Sequence, residues 1–542
     1  MTSNESELLG LLRSLVAKVD AIEATVADVA RRVGSVEERL KGRDAESNGS
    51  GAPLAVLRGN ALSVRAAEDP DVLLCLDFGT ARSKAFATRG TDENLVDIAV
   101  GRRAGSQTMH SVLSCMFIGD DERIYFGEDA ANRSELAVLQ GSRRRIDSFK
   151  AIITNANPGA DLRATILGVD LNPSDIRLSE GDILSLYLAY LTDLAASELE
   201  AQGISRYVTR RFTTPVFPDD HRRWAAPTLT RHYSEAVLLA DHFSGQWREG
   251  ITVSDAANAI RSAAANFPAV LHLVAEPEVE PVAAFGSRFR SFEPERRSRK
   301  LLTIVDVGAG TTDFATFALI VDPELGLKMY LVPNSVHALR KAGNEVDRIL
   351  QELILRKVLA ERPGLDASLL ARIRATLSLQ QRVLKERLFR DQVVSFELAD
   401  DTRGEVTIEE FLADPDLQRF SSELREHFTR SLAKIESSWF REAGGNTLEV
   451  VFTGGGANLP MIQGLGRGQV AGLADYVDCV ASPSLPRWVS RDYPELGDEF
   501  PQLAVAIGGA SRNLPQYPEQ QFASFGGLTE QGAWVIPPAR KG

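Results

Sequence analysis

Cysteine is almost absent: Cys75, Cys115 and Cys479 are the only three in 542 residues. They are too few and too scattered for a disulfide framework or a zinc site, which points to a reducing compartment. The seven histidines show no metal-ligand spacing. No apolar run approaches the length that spans a bilayer, and the N-terminus lacks a signal-peptide core. The expected location is therefore cytoplasmic, with no membrane span. Positive charge is also in deficit. Lys and Arg number 61 against 74 Asp and Glu, a net charge of −13, which argues against a nucleic-acid partner. What is present, 44% apolar and 25% charged residues, is the profile of a globular chain with room for roughly two to four domain-sized units.

Three glycine turns organise the chain. In Leu301–Leu319 (LLTIVDVGAGTTDFATFAL) an apolar run has the length and composition of a strand buried on both faces. Asp306 stands at its end, Gly308-Ala309-Gly310-Thr311-Thr312 forms the turn, and alternation resumes after Asp313. Such a turn presents several N–H groups to one concave spot, the arrangement that holds phosphate oxygens. Asp306 and Asp313 bracket it with carboxylates that suit a hydrated Mg²⁺. An ordinary hairpin with a polar turn would read the same way in isolation. Residues 71–88 (DVLLCLDFGTARSKAFAT) repeat the plan, with Asp77 at the strand end and Gly79, Thr80 and Ala81 in the turn, 229 residues before Asp306. The third turn, Gly454-Gly455-Gly456, follows a strand and leads into a helix near Pro460.

Together these motifs resemble the nucleotide-binding fold of the actin and heat-shock-70 (DnaK-type chaperone) superfamily, over about Asp71 to Arg512. The resemblance implies an α/β, two-lobed, actin-like (ribonuclease-H-like) ATPase fold binding ATP or ADP with Mg²⁺. It implies that Asp77, Glu276 and Asp306 hold Mg²⁺ through water, and that Thr80, Thr311 and the turn amides hold the β- and γ-phosphates. Glu276 lies in AEPEVEPVAAFG, similar to the family's connection between halves; a helix-start carboxylate is the plainer reading. Lys150, after the basic run Arg143–Arg145, matches the lysine that reaches the γ-phosphate and the attacking water, although a basic surface run would look alike. Gly343 in KAGNEVD would let a helix N-terminus approach the phosphates. Lys385 matches a lysine set against the adenosine, and Gly454–Gly456 would cradle the nucleoside. Arg382 and Asn458 depart from the family, standing where a glutamate and an adenine-stacking arginine are expected.

At the other end, Leu8, Leu12, Leu15, Val19, Ile22, Val26, Val29, Val33, Val36 and Leu40 recur alternately four and three apart. That heptad pattern predicts a coiled coil. With Leu12 at a, Lys18 and Arg32 at g face Glu23 and Glu37 at e, favouring a parallel homo-oligomer, dimer or trimer. An amphipathic helix packed on the chain's own globular part is the alternative. The expected layout is a coiled coil over 1–42, a flexible linker over 43–70 containing ESNGSGAP, ATPase halves over 71–290 and 291–512, and a tail over 513–542. Only 30 residues follow Arg512, too few for the peptide-gripping sandwich and lid of DnaK-type chaperones. The expected function is slow ATP hydrolysis coupled to a partner, such as a co-chaperone, or to coiled-coil assembly. A nucleotide-gated filament or scaffold and a small-molecule kinase are the alternatives.

Overall fold

Apolar runs ending in Asp and Gly do become strands entering tight turns. The structure is a computed structural model that describes residues 54–101, 109–139, 143–289, 296–322, 326–398, 402–443, 446–470 and 476–517. The heptad segment 8–40 lies outside them. The chain is mixed α/β, with strands gathered in several mixed sheets.

Val72–Asp77 is buried along its whole length, as its unbroken apolar character requires. It pairs antiparallel with Arg82–Arg89 on one side and parallel with Thr209–Thr214 on the other, at the centre of a six-stranded sheet. Ser298–Val307 has the same position in a seven-stranded sheet, antiparallel to Thr312–Asp322 and parallel to Thr447–Thr453. The two sheets thus share one plan: hairpin on one flank, parallel strand on the other. Register decides what faces each strand-end aspartate. Asp77 lies opposite Lys84, whereas Asp306 lies opposite Asp313.

Helices cover these sheets. Glu180–Ala201 starts on a capping box made by Ser179 and Asp182, and runs beside Asp219–His242. The residues near 232–250 continue that second helix and lead, through a short turn at Trp247–Glu249, to Ile251–Thr252. That strand joins Arg123–Phe126 and Met116–Ile118 in a separate three-stranded sheet. After the second hairpin come the helices Gly343–Glu361 and Ala367–Asp391 and the two-stranded ribbon Val393–Glu397 with Arg403–Thr407.

Phe500–Gly509 joins the two sheets because its last residues are small. A Cβ on Gly508 would meet the Ala283 carbonyl oxygen at 1.7 Å, and one on Gly509 would meet Cys75 Sγ at 2.4 Å. Glycine therefore lets this helix touch Glu280–Gly286 backbone to backbone and lie directly on the Cys75 side chain of Val72–Asp77.

Residues 54–70 of the expected linker are ordered against the helix Asp219–His242. Ala61 and Val64 are buried, and the Ala61 amide donates to Asp241 Oδ2 at 2.9 Å. Gly59 adopts a φ of +89°, and a Cβ there would lie 2.0 Å from that carboxylate. Glycine at this position allows the close approach to Asp241. Of the expected tail, Gln516 exchanges hydrogen bonds with Met329 and Leu331 at 3.0 Å, adding a fringe to the second sheet.

Candidate functional site

Each strand-end aspartate is held by the parallel strand beside it. Asp77 Oδ1 accepts from Thr213 Oγ1 at 3.2 Å, and Asp306 Oδ1 accepts from Thr453 Oγ1 at 2.8 Å. Both carboxylates are buried yet line one cavity between the two sheets. The hairpin tips meet there. A Cβ on Gly310 would sit 3.3 Å from Thr80 Oγ1, so glycine at that position permits the approach.

The cavity wall also contains Gly79, Thr80, Ala81, Lys150, Gly308, Ala309, Thr311, Gly343, Lys385 and Gly454–Gly456. These come from segments spread over nearly the whole described chain, and folding brings them together. Thr312 and Asp313 lie behind the wall. Thr312 Oγ1 donates to the Lys341 carbonyl at 2.9 Å, and Asp313 accepts from Thr311 Oγ1 at 2.8 Å while its Oδ1 finds no hydrogen-bond partner.

Gly343 opens its helix against the second hairpin turn. Its amide donates to the Gly308 carbonyl at 3.2 Å, and Asn344 donates to Ala309 at 2.8 Å. The helix start therefore braces the turn, its first two amides already engaged. Lys385 bonds the Gly343 carbonyl at 3.3 Å and ion-pairs with Asp347 at 2.9 Å. At the third turn, Gly454 has a φ of +84°, and the Gly456 amide bonds the Val307 carbonyl at 3.0 Å. A Cβ on Gly455 would meet nothing within 4 Å, so this stretch of wall is open. Arg382 and Glu386 line the same end; Asn458 is exposed and does not line the cavity.

One expected residue is misplaced. Glu276 is exposed and outside the cavity wall, whereas Glu280 is buried in it and ion-paired with Lys150. The chain holds two Glu-Pro pairs four residues apart. The short strand Glu278–Val279, paired with Thr213–Thr214, intervenes and delivers the second glutamate, at the first turn of Glu280–Gly286. Lys84 was also missed; its Nζ lies 3.0 Å from Asp77 Oδ2 in the cavity wall. The only sequence signal for Lys84 was its register opposite Asp77.

Electrostatics follow from crowding. Among the described residues, Asp77, Glu280, Asp306 and Asp313 gather round the ammonium groups of Lys84 and Lys150, four carboxyl groups to two, with Lys385 set apart on Asp347. Burial raises the Glu280 carboxyl above its ordinary range, with Lys150 opposing and Asp313, Asp77 and Asp306 adding to the rise. Burial likewise raises Asp313 to about 7 and moves Asp306 upward. Burial works against the Lys150 ammonium, but Glu280, Asp77 and Asp313 outweigh it, so Lys150 holds its proton more tightly than a free lysine.

Oxygen atoms of Glu280, Asp306 and Asp313 lie within 4.8 Å of one another. An all-carboxylate set with an unpartnered Asp313 oxygen fits a hard divalent cation. The triad differs from the expected Asp77, Glu276 and Asp306: Glu280 replaces Glu276, and Asp77 is engaged by Lys84 and Thr213. Among the described residues, no helix is long and apolar enough to cross a membrane. No family model and no curated protein matches this chain.

Proposed function

We propose that the chain is an ATP-binding protein of the actin and heat-shock-70 type that hydrolyses ATP slowly, coupling closure of the cavity to a partner or to assembly through residues 8–40. The observation that carries this reading is the tip-to-tip meeting of two like hairpins over a buried acid–lysine cluster. The amides of Thr80, Ala81, Ala309 and Gly310 would hold the β- and γ-phosphates, with Thr80 and Thr311 hydroxyls beside them, while the Gly79 and Gly308 amides are engaged by Ser83 Oγ and the Thr311 carbonyl. Glu280, Asp306 and Asp313 would hold Mg²⁺, with Asp77 adjoining. Bound Mg²⁺ would supply positive charge at the phosphates.

Lys150 would place an ammonium beside the transferring phosphoryl group, offsetting the charge that develops there. In the absence of nucleotide it is neutralised by Glu280, so phosphate would compete for a lysine already aimed into the cavity. The nucleoside would lie along Gly454–Gly456, Lys385 and Arg382, on the wall opened by Gly455.

The test is equilibrium binding of a fluorescent ATP analogue with and without Mg²⁺, on wild type and Asp306→Ala. Binding that is Mg²⁺-dependent in wild type and loses that dependence in the variant is the expected result. Binding in neither protein would end the proposal.

A further inference from the structure

Behind the phosphate turn lies a fully buried group of hydroxyls that the proposed chemistry does not use. Tyr187, in the middle of Glu180–Ala201, places its hydroxyl 2.9 Å from Ser83 Oγ and 3.1 Å from Ser114 Oγ. The two serines are 3.0 Å apart. Between them they take both backbone groups of Gly79: Ser114 Oγ donates to its carbonyl at 2.8 Å, and Ser83 Oγ accepts from its amide at 3.3 Å. The Tyr187 ring stacks on Phe149 with centroids 4.1 Å apart and an interplanar angle of 9°, and tilts against Phe78 at 6.0 Å. Phe78 follows Asp77, Ser83 precedes Lys84 and Phe149 precedes Lys150. Three contacts of this one side chain, Phe78, Ser83 and Phe149, are thus a single residue from a charged group in the cavity wall.

We infer that Tyr187 is a positioning residue that sets the Gly79 turn and the short helix Lys150–Asn155 as one unit; this rests on the function proposed above. A hydroxyl buried there earns little from water and much from fixing the direction of neighbouring groups. The ring carries the link to Lys150, the hydroxyl the link to Gly79. Loss of the hydroxyl unties the ring from the Gly79 turn, so the turn and the segment at Lys150, no longer held as one unit, both open more readily.

Two readouts on the full-length chain decide it, with Tyr187→Phe and Ser114→Ala as variants. In amide hydrogen exchange, both variants should lose protection at residues 77–84 and 148–155 together. Turnover of ATP should fall about five- to tenfold, the scale of one net hydrogen bond, while nucleotide affinity changes less than about threefold. Faster exchange in the turn but not in 148–155 would overturn the inference. So would a lowered unfolding midpoint with kcat unchanged, which is what a merely structural tyrosine gives. A wild type that binds no nucleotide would remove the proposed function, and the exchange pattern would still decide whether Tyr187 couples the two segments.

Discussion

Gly508→Ala tests whether close helix contact holds the site together. The helix Phe500–Gly509 runs against Glu280–Gly286, whose first residue is the Lys150 partner. A Cβ on Gly508 would stand 1.7 Å from the Ala283 carbonyl oxygen and 2.6 Å from the Ser287 amide nitrogen. Both are backbone atoms, so no side chain can turn aside. Reaching ordinary contact requires the helices to separate by well over 1 Å, in a core of close-packed atoms. Alanine gains about 1 kcal/mol of helix propensity over glycine, whereas overpacking costs about 1–3 kcal/mol and more where backbone must move. The net loss should be about 2 kcal/mol, measured as a lowered urea midpoint for the full-length chain. Gly455→Ala, whose added Cβ would meet nothing within 4 Å, should change stability by less than about 0.5 kcal/mol. A Gly508→Ala protein as stable as wild type would refute the packing argument.

Lys150→Met and Glu280→Gln should each destabilise the fold by about 1–3 kcal/mol, and the double variant by clearly less than their sum, because each single change strands a buried partner; additive losses in urea unfolding would contradict the pairing. His110 is buried, with Glu499 Oε2 3.0 Å from Nδ1 and Asp97 Oδ1 2.9 Å from Nε2. Burial opposes its charge, but these two carboxylates outweigh it and raise its pKa above 6.5. The stability it contributes is therefore complete below about pH 6.5 and is lost as pH rises through the raised folded value. His110→Gln should flatten that part of the stability–pH curve, and an unchanged curve would reject the assignment. Removing residues 1–42 should abolish concentration-dependent association in sedimentation; association that persists would place self-assembly in the globular part.

The parts of the fold that could be read from sequence are those with local causes. An apolar run followed by Asp and Gly specifies strand and turn without reference to distant residues, so both hairpins and the third turn appear where expected. Pro281 likewise marks a helix start. The misses are long-range. Choosing Glu280 over Glu276 depends on Glu278–Val279 pairing with Thr213–Thr214, more than sixty residues earlier. Lys84 enters the cavity through hairpin register, whereas Asp313, expected beside Mg²⁺ from the turn itself, lies opposite Asp306 in the same hairpin. Residues 54–70 read as linker because their anchor, Asp241, is 180 residues away from Ala61. Tyr187 carries no local signal of a role, because its hydroxyl meets Ser83 and Ser114 only after folding.

The most direct measurement is steady-state phosphate release from ATP with Mg²⁺, on wild type and Lys150→Ala in parallel. The expected result is slow, Mg²⁺-dependent release in wild type that falls at least tenfold in the variant, about 1.4 kcal/mol or more of lost barrier stabilisation. Equal turnover in the two proteins, or none in either, would contradict it.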